Sequence, residues 1–256
     1  MKRTPWTGFD VLMLFAVWLA PLLASIAVVH VVSREQPQVE VTSENIQDHG
    51  HPVAQLIKQS NNSLVVFLVV FLAAIVIAPI VEEFLFRMLL QGWLETKFAQ
   101  LQVPHASGVA VGIVALCFAA IHGGNHGTVD ASSLIMGIVI SSLFSLMVFV
   151  AGIIYLSCVR EVRVTDYLFS TERFFRPGFF AGAGGCLLTI VFAYGLNVAA
   201  STLYPNTNVA PIPLFFFALA LGVLYSRTQN LSYCILLHAC LNGISLMLAW
   251  STSGAV

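Results

Sequence analysis

Long segments without a single charged residue are the feature that most limits how this chain can fold. Six runs contain no Asp, Glu, Lys or Arg, and they cover residues 11–33, 59–81, 98–129, 131–159, 177–226 and 228–256. A membrane-spanning helix needs about 20 apolar residues to cross about 30 Å of hydrocarbon, so each run can hold a span. The run at 177–226 is interrupted by the turn-like segment 204–208, so it can hold two. The sequence predicts an all-α polytopic membrane bundle of about seven transmembrane helices, within a range of six to eight.

The overall composition excludes the other classes of protein. Only 9% of the residues are charged and 58% are hydrophobic, whereas a soluble domain carries about 25% charged residues. The chain therefore has too few charges to cover a water-facing surface, and it is too apolar to remain disordered. A net charge of −1 provides no basic excess for binding phosphate. We expect the lipid bilayer as a partner and no nucleic acid.

The positions of the basic residues predict the orientation of the spans. If the N-terminus is cytoplasmic, Arg34 and Lys58 are the only Lys or Arg residues outside, as the positive-inside rule requires. The polar segment 34–62 that contains both is then an extracytoplasmic loop. No change in composition divides the chain, so residues 1–256 are predicted to form a single integral-membrane domain.

Two adjacent acids, Glu82 and Glu83, follow one of the apolar runs. A charged side chain at the centre of a bilayer costs about 2.5–3.5 kcal/mol on insertion scales, so this pair requires partners or a purpose. Glu83 and Arg87 are separated by four residues, which predicts an ion pair within one helix. Glu82 points about 100° away from Glu83 and has no partner in its own helix.

Two further apolar segments carry polar side chains at helical spacing. Phe118 and His122 share one helix face, and so do His238 and Asn242. Together with Glu82, these residues are sufficient to hydrolyse a peptide bond. The carboxylate would accept a proton from water and His122 would help to hold that water. His238 and Asn242 would donate hydrogen bonds to the oxyanion that forms on the carbonyl.

A metal-dependent reaction is the alternative for the same residues. Glu82, His122 and His238 could bind a zinc ion and leave a fourth position open for water. The sequence contains no H-E-x-x-H motif that would favour this arrangement. These residues alone do not separate the two mechanisms.

The order of these motifs resembles the CAAX prenyl protease and bacteriocin-processing (CPBP) family, of the Ras-converting type. The motifs lie within residues 64–250, and they are Glu82-Glu83-x-x-x-Arg87, Phe118-x-x-x-His122 and His238-x-x-x-Asn242. The resemblance implies an intramembrane endopeptidase whose peptide or protein substrate can be lipidated. It implies the water-activating pair Glu82 and His122, the oxyanion-binding pair His238 and Asn242, the structural ion pair Glu83 and Arg87, and a supporting Phe118. The family is described both as metal-dependent and as metal-free, and we favour a reaction without a cofactor, assign no metal ligand and keep zinc as the alternative.

Two other functions are compatible with this pattern. A non-catalytic membrane scaffold or immunity protein could keep the same fold, and intramembrane Glu and His side chains also form the proton relays of transporters. The sequence shows no paired halves with interrupted helices, so a transporter is the least favoured reading. The location that we favour is a bacterial plasma membrane, crossed several times.

The expected depths of the site residues disagree with one another. If the second span ended near Val81, Glu82 would lie close to the cytoplasmic side. His122 would then lie about 22 Å along an outward-running helix, at 1.5 Å per residue. The groups could converge if Pro79 bends the second helix or if the span around His122 has other limits. A re-entrant segment at 123–127, with His126 as a further site residue, is one such arrangement.

Overall fold

A computed structural model describes residues 4–20, 63–122, 131–168, 184, 188, 191, 192, 195 and 211–252. The loop expected at 34–62 and the proposed site residue His126 lie outside the described residues. Within them, seven helices have defined bounds. These are α1 (Gly8–Ala20), α2 (Leu64–Gln100), α3 (Ala106–Ile121), α4 (Ala131–Val159), α5 (Thr165–Leu168), α6 (Pro211–Thr228) and α7 (Leu231–Thr252).

Three of the described helices are long and apolar enough to cross a membrane. They contain the segments Leu64–Gln100, Ile135–Val159 and Leu231–Leu248. Helices α1, α3 and α6 are also apolar but shorter. The described part of the chain is therefore all-helical, as predicted, and it agrees with a polytopic membrane protein.

Helix α2 contains two wide π-helical turns. The first, Leu72–Ile77, precedes a short α-helical segment at Ala78–Glu83, and the second covers Phe84–Gln91. Pro79 lies at the beginning of the α-helical segment. A proline ring clashes with the carbonyl four residues earlier in a regular helix. A π turn displaces that carbonyl, so the wider turn lets α2 continue through the proline.

The expected position of Glu82, close to the cytoplasmic end of the second span, is wrong. Helix α2 continues through the charged residues to Gln100, so Glu82 lies about halfway along it. A short turn follows and α3 runs back antiparallel, with His122 directly after its last residue. At 1.5 Å per residue, both side chains are roughly 25 Å from the turn, and the expected difference in depth disappears.

The helices share one main apolar core. Helix α3 packs along α6, and Gly222 of α6 makes this close approach possible. A Cβ atom on Gly222 would lie only 2.8 Å from Cγ1 of Val111. Phe84, Leu85, Phe86, Met88 and Leu89 of α2 are buried in the same core, so this part of α2 is enclosed by other helices on all sides.

Several segments of the chain contact one another at one end of the bundle. The Trp6 indole N–H donates to the Leu89 carbonyl at 3.1 Å, which places the start of α1 beside the second half of α2. Asp10 accepts a hydrogen bond from Arg160 at 2.8 Å, which ties the start of α1 to the end of α4. The Ser232 hydroxyl donates to the Leu168 carbonyl, so α5 and the start of α7 meet as well.

Candidate active site

The Glu82 carboxylate lies between two histidine rings. Its Oε2 atom is 3.7 Å from Nε2 of His122 and 3.9 Å from Nε2 of His238. The three side chains come from α2, the end of α3 and α7. This oxygen is buried and accepts no hydrogen bond from the part of the chain that the structure describes. The structure thus brings one free carboxylate oxygen and two imidazoles to a single point.

His122 is oriented by the residue one turn earlier. Its Nδ1 lies 2.8 Å from the Phe118 carbonyl oxygen, and the His122 ring stacks on the Phe118 ring at 4.5 Å. A carbonyl oxygen can only accept a hydrogen bond, so Nδ1 of His122 carries the hydrogen. In a neutral ring, Nε2 then presents its lone pair toward Glu82.

Glu83 contacts His238 as well as Arg87. Its Oε2 accepts a hydrogen bond from Arg87 Nε at 3.0 Å, and its Oε1 accepts one from His238 Nδ1 at 2.9 Å. All three side chains are buried. The carboxylate therefore holds His238 so that Nε2 faces Glu82. The i,i+4 spacing indicates the contact with Arg87, but nothing in the sequence indicated the contact with His238.

Aromatic rings surround the imidazole of His238. The rings of Phe118 and Phe217 meet it edge to face, with centroids at 5.8 and 5.6 Å. Phe118 also faces the guanidinium of Arg87, whose Cζ lies 5.7 Å from the ring centroid. A cation near an aromatic face is attracted to the ring quadrupole. Phe118 therefore supports Arg87 and both histidines, and it lies where the three helices meet.

Asn242 lies one turn after His238 but has a different neighbour. Its Nδ2 donates a hydrogen bond to the Ala74 carbonyl oxygen at 2.7 Å, within the first π turn of α2. Among the described residues, no hydrogen bond joins Asn242 to Glu82, His122 or His238. The amide nitrogen carries a second hydrogen that remains able to donate to a substrate.

The donor set can be compared with what a metal ion requires. Ligands of a tetrahedral zinc ion, bound at 2.0–2.2 Å, lie about 3.4 Å from one another. The two histidine nitrogens lie farther than this from Glu82 Oε2. Among the described residues, no group of three or more His, Cys, Asp or Glu side chains is placed to hold a metal. In the part of the chain that the structure describes, these distances are a few tenths of an ångström longer than those of a formed zinc site.

Comparisons with known proteins agree with the motif pattern. The family model of the Type II CAAX prenyl endopeptidase Rce1-like family matches residues 64–244, more than two thirds of the chain. No curated protein and no solved structure gives a significant match. The matched segment begins with α2 and includes the glutamate pair and both histidine motifs. The chain therefore belongs to the Rce1-like type II CAAX prenyl endopeptidases, a family of intramembrane proteases.

Proposed function

We propose that this protein hydrolyses a peptide bond within the membrane, with a water molecule activated by Glu82 and His122. The observation that supports the proposal is the free Glu82 Oε2 atom, with the Nε2 atoms of His122 and His238 at 3.7 and 3.9 Å. A buried carboxylate oxygen without a hydrogen-bond donor is costly, and an unsatisfied group of this kind requires an explanation such as a catalytic role.

The first step uses two hydrogen-bond acceptors. Glu82 Oε2 and the lone pair of His122 Nε2 would each accept one hydrogen of the same water molecule. The water oxygen then directs a lone pair at the scissile carbonyl carbon. As the carbon–oxygen bond forms, one proton passes to Glu82. When the carbon–nitrogen bond breaks, Glu82 returns this proton to the leaving amine, so the carboxylate is regenerated.

The second pair stabilises the charge that develops on the carbonyl oxygen. Asn242 would donate from Nδ2 and His238 from Nε2. Because His238 Nδ1 already donates to Glu83, a donor at Nε2 requires both ring nitrogens to be protonated. The adjacent Glu83 carboxylate compensates the charge of that imidazolium. Glu83 is in this scheme a positioning residue, and Arg87 holds it in place.

The substrate and the setting are also part of the proposal. The family description favours a substrate with a C-terminal CAAX motif and a prenylated cysteine. A peptide without a lipid group could be cleaved by the same reaction. We infer a single integral-membrane domain over 1–256, a cytoplasmic N-terminus and about seven spans. A bacterial plasma membrane is the location that we favour.

The test is cleavage of an internally quenched, farnesylated CAAX peptide by the purified protein in detergent. We expect Glu82→Gln to lower kcat by about 10³-fold, within the range of a lost general base. Glu161→Gln, an exposed glutamate outside the helices, serves as the matched control and should retain full activity. Equal cleavage by wild type and Glu82→Gln would overturn the proposed role of Glu82, whereas no cleavage by the wild type would favour the scaffold or immunity reading.

A second arm of the same assay addresses the metal. Activity that survives extensive treatment with a chelator supports the metal-free reaction. Loss of activity, followed by recovery when zinc is added back, would leave the protein a protease but overturn the metal-free mechanism.

A further inference from the structure

The acceptor for Asn242 is a backbone carbonyl in the middle of a helix, where such groups are normally occupied. Most buried carbonyl groups within helices accept a hydrogen bond from an N–H of the same helix. The Ala74 oxygen instead accepts a hydrogen bond from the side-chain amide of Asn242 in α7, with an N–O distance of 2.7 Å. The Ala74 carbonyl therefore lacks the usual N–H partner from its own helix.

The hydrogen-bond register of α2 explains why this partner is missing. In the first π turn each N–H bonds to the carbonyl five residues earlier, and the Ala78 N–H accordingly donates to Ala73. The next donor in this register is residue 79, which would bond to Ala74. Residue 79 is proline and has no N–H. Because Ala78 already donates to Ala73, Ala74 has no donor within α2.

The free carbonyl determines how the Asn242 amide is turned. An oxygen acceptor must face Nδ2, because Oδ1 cannot donate a hydrogen bond. One hydrogen of Nδ2 is thereby directed at Ala74. The planar amide then fixes the direction of the other hydrogen.

We propose that Pro79 is a positioning residue for Asn242: by removing one N–H from α2 it exposes the Ala74 carbonyl, which orients the amide as an oxyanion donor. This inference rests on the proposed function, in which Asn242 contacts the reacting carbonyl. Pro79 itself contacts neither substrate nor water in this scheme. Its effect on the reaction passes through Ala74 and Asn242 alone.

The kinetic test replaces the proline with residues that restore the N–H. In Pro79→Ala, the new N–H competes with Asn242 for the Ala74 carbonyl. We expect kcat to fall at least tenfold with the farnesylated peptide, while KM changes less than twofold and the melting temperature does not fall. Complete removal of an oxyanion donor costs about 10²–10³-fold, which sets the upper limit. Pro79→Val keeps a bulkier apolar side chain and should behave alike.

The double variant separates positioning from general damage. If Pro79 acts through Asn242, P79A/N242A should have the same kcat as Asn242→Ala alone. Pro104→Ala, in the exposed turn between α2 and α3, is the matched proline control and should retain full kcat. Retention of kcat within twofold by Pro79→Ala, or a further loss on top of Asn242→Ala, would overturn the inference. Neither result would affect the assignment of Glu82.

A measurement independent of cleavage completes the test. Asn242→Ala leaves the Ala74 carbonyl unpaired when Pro79 is present, and we expect the melting temperature to fall by about 2–4 °C. In the P79A background the backbone N–H satisfies that carbonyl, so the same substitution should lower the melting temperature by less than half as much. Equal decreases of the melting temperature in both backgrounds would contradict the proposal that the Ala74 carbonyl has no N–H partner within α2.

Discussion

Glu83 differs from Glu82 in its number of partners. Both of its oxygens are occupied, one by Arg87 and the other by His238. Neighbouring residues of one helix thus have separate tasks, because successive positions point in different directions. In the proposed reaction Glu82 exchanges a proton, while Glu83 holds the ring that Glu82 faces.

The role of Glu83 predicts a specific kinetic defect. In Glu83→Gln the charge that would compensate the imidazolium of the proposed reaction is lost, and the amide cannot accept from both partners as the carboxylate does. We expect kcat to fall about 100-fold with KM within twofold, comparable to the loss of a group that orients a functional histidine. Steady-state kinetics measures the change, and nitrogen NMR of labelled histidine would report the altered protonation of His238.

Glu95→Gln is the matched control for this substitution. Glu95 is also a buried glutamate of α2, but its Oε1 accepts from Gln91 at 3.0 Å and it has no described contact with either histidine. Its replacement should leave kcat within twofold. Similar losses of kcat in both variants would show that any buried carboxyl change in α2 damages the protein, and would contradict the positioning role of Glu83.

At the scale of the elements, α3 and α6 depend on one close contact. Gly222→Ala would place a methyl group 2.8 Å from Cγ1 of Val111, a stiff β-branched side chain. We expect a loss of about 1–3 kcal/mol in the free energy of unfolding, as for other overpacked sites. Thermal unfolding in detergent measures it. The Gln91 amide, which donates to the Gly222 carbonyl at 2.9 Å, would be displaced as well.

Gly112→Ala provides the control for this contact. No atom lies within 4 Å of a Cβ placed on Gly112, so the added methyl group meets open space. The substitution should be neutral or slightly stabilising, because alanine favours a helix by up to about 1 kcal/mol over glycine. A fall in melting temperature for Gly112→Ala as large as that for Gly222→Ala would contradict this packing.

At the scale of the whole molecule, Asp10 connects two distant parts of the chain. It is fully buried, and it accepts hydrogen bonds from Thr7, from the Tyr155 hydroxyl at 2.6 Å and from Arg160 at 2.8 Å. Asp10→Ala leaves these donors without their acceptor. We expect a loss of about 3 kcal/mol in the free energy of unfolding, the lower end for a broken buried pair, because Arg160 is 30% exposed.

Thermal unfolding again provides the measurement, with Asp166→Ala as its control. Asp166 is an exposed acid of α5 on the same end of the bundle. Removal of an exposed side chain of this kind usually changes stability by no more than about 0.5 kcal/mol. An Asp10→Ala protein as stable as Asp166→Ala would show that the contact between α1 and α4 does not contribute to the fold.

The arrangement of the ends also predicts the orientation in the membrane. The turn after α2 and the end of α4 lie at the same end as the start of α1, and Lys97 and Arg160 are found there. With a cytoplasmic N-terminus, a cysteine introduced as Gln102→Cys should react in intact cells with a membrane-permeant maleimide only. Labelling by an impermeant reagent from outside would show that the N-terminus and this turn lie on the outer side of the membrane.

Part of this organisation follows from the sequence alone. Charge-free runs longer than a membrane span leave no alternative to helices, because backbone polar groups in lipid must be paired within the segment. The i,i+4 spacings place Glu83 beside Arg87 and His122 beside Phe118, since residues four apart share a helix face. Local periodicity, however, is silent about which helices are neighbours. The pair Gly108 and Gly112 is typical of a close helix contact, yet a Cβ atom at either position would meet no described atom within 4 Å.

The tertiary structure decided what crosses from one helix to another. The length of α2 places Glu82 at the depth of His122, and the packing of α7 places His238 against Glu83. The Asn242 amide donates to the Ala74 carbonyl, which lies in the π turn before Pro79. Each of these depends on where a helix ends or how its hydrogen bonds are registered. A pattern of residue types determines helix faces, because the helical repeat is intrinsic to the backbone. It does not determine distances between faces, because those are set by the packing of side chains that are far apart in the chain.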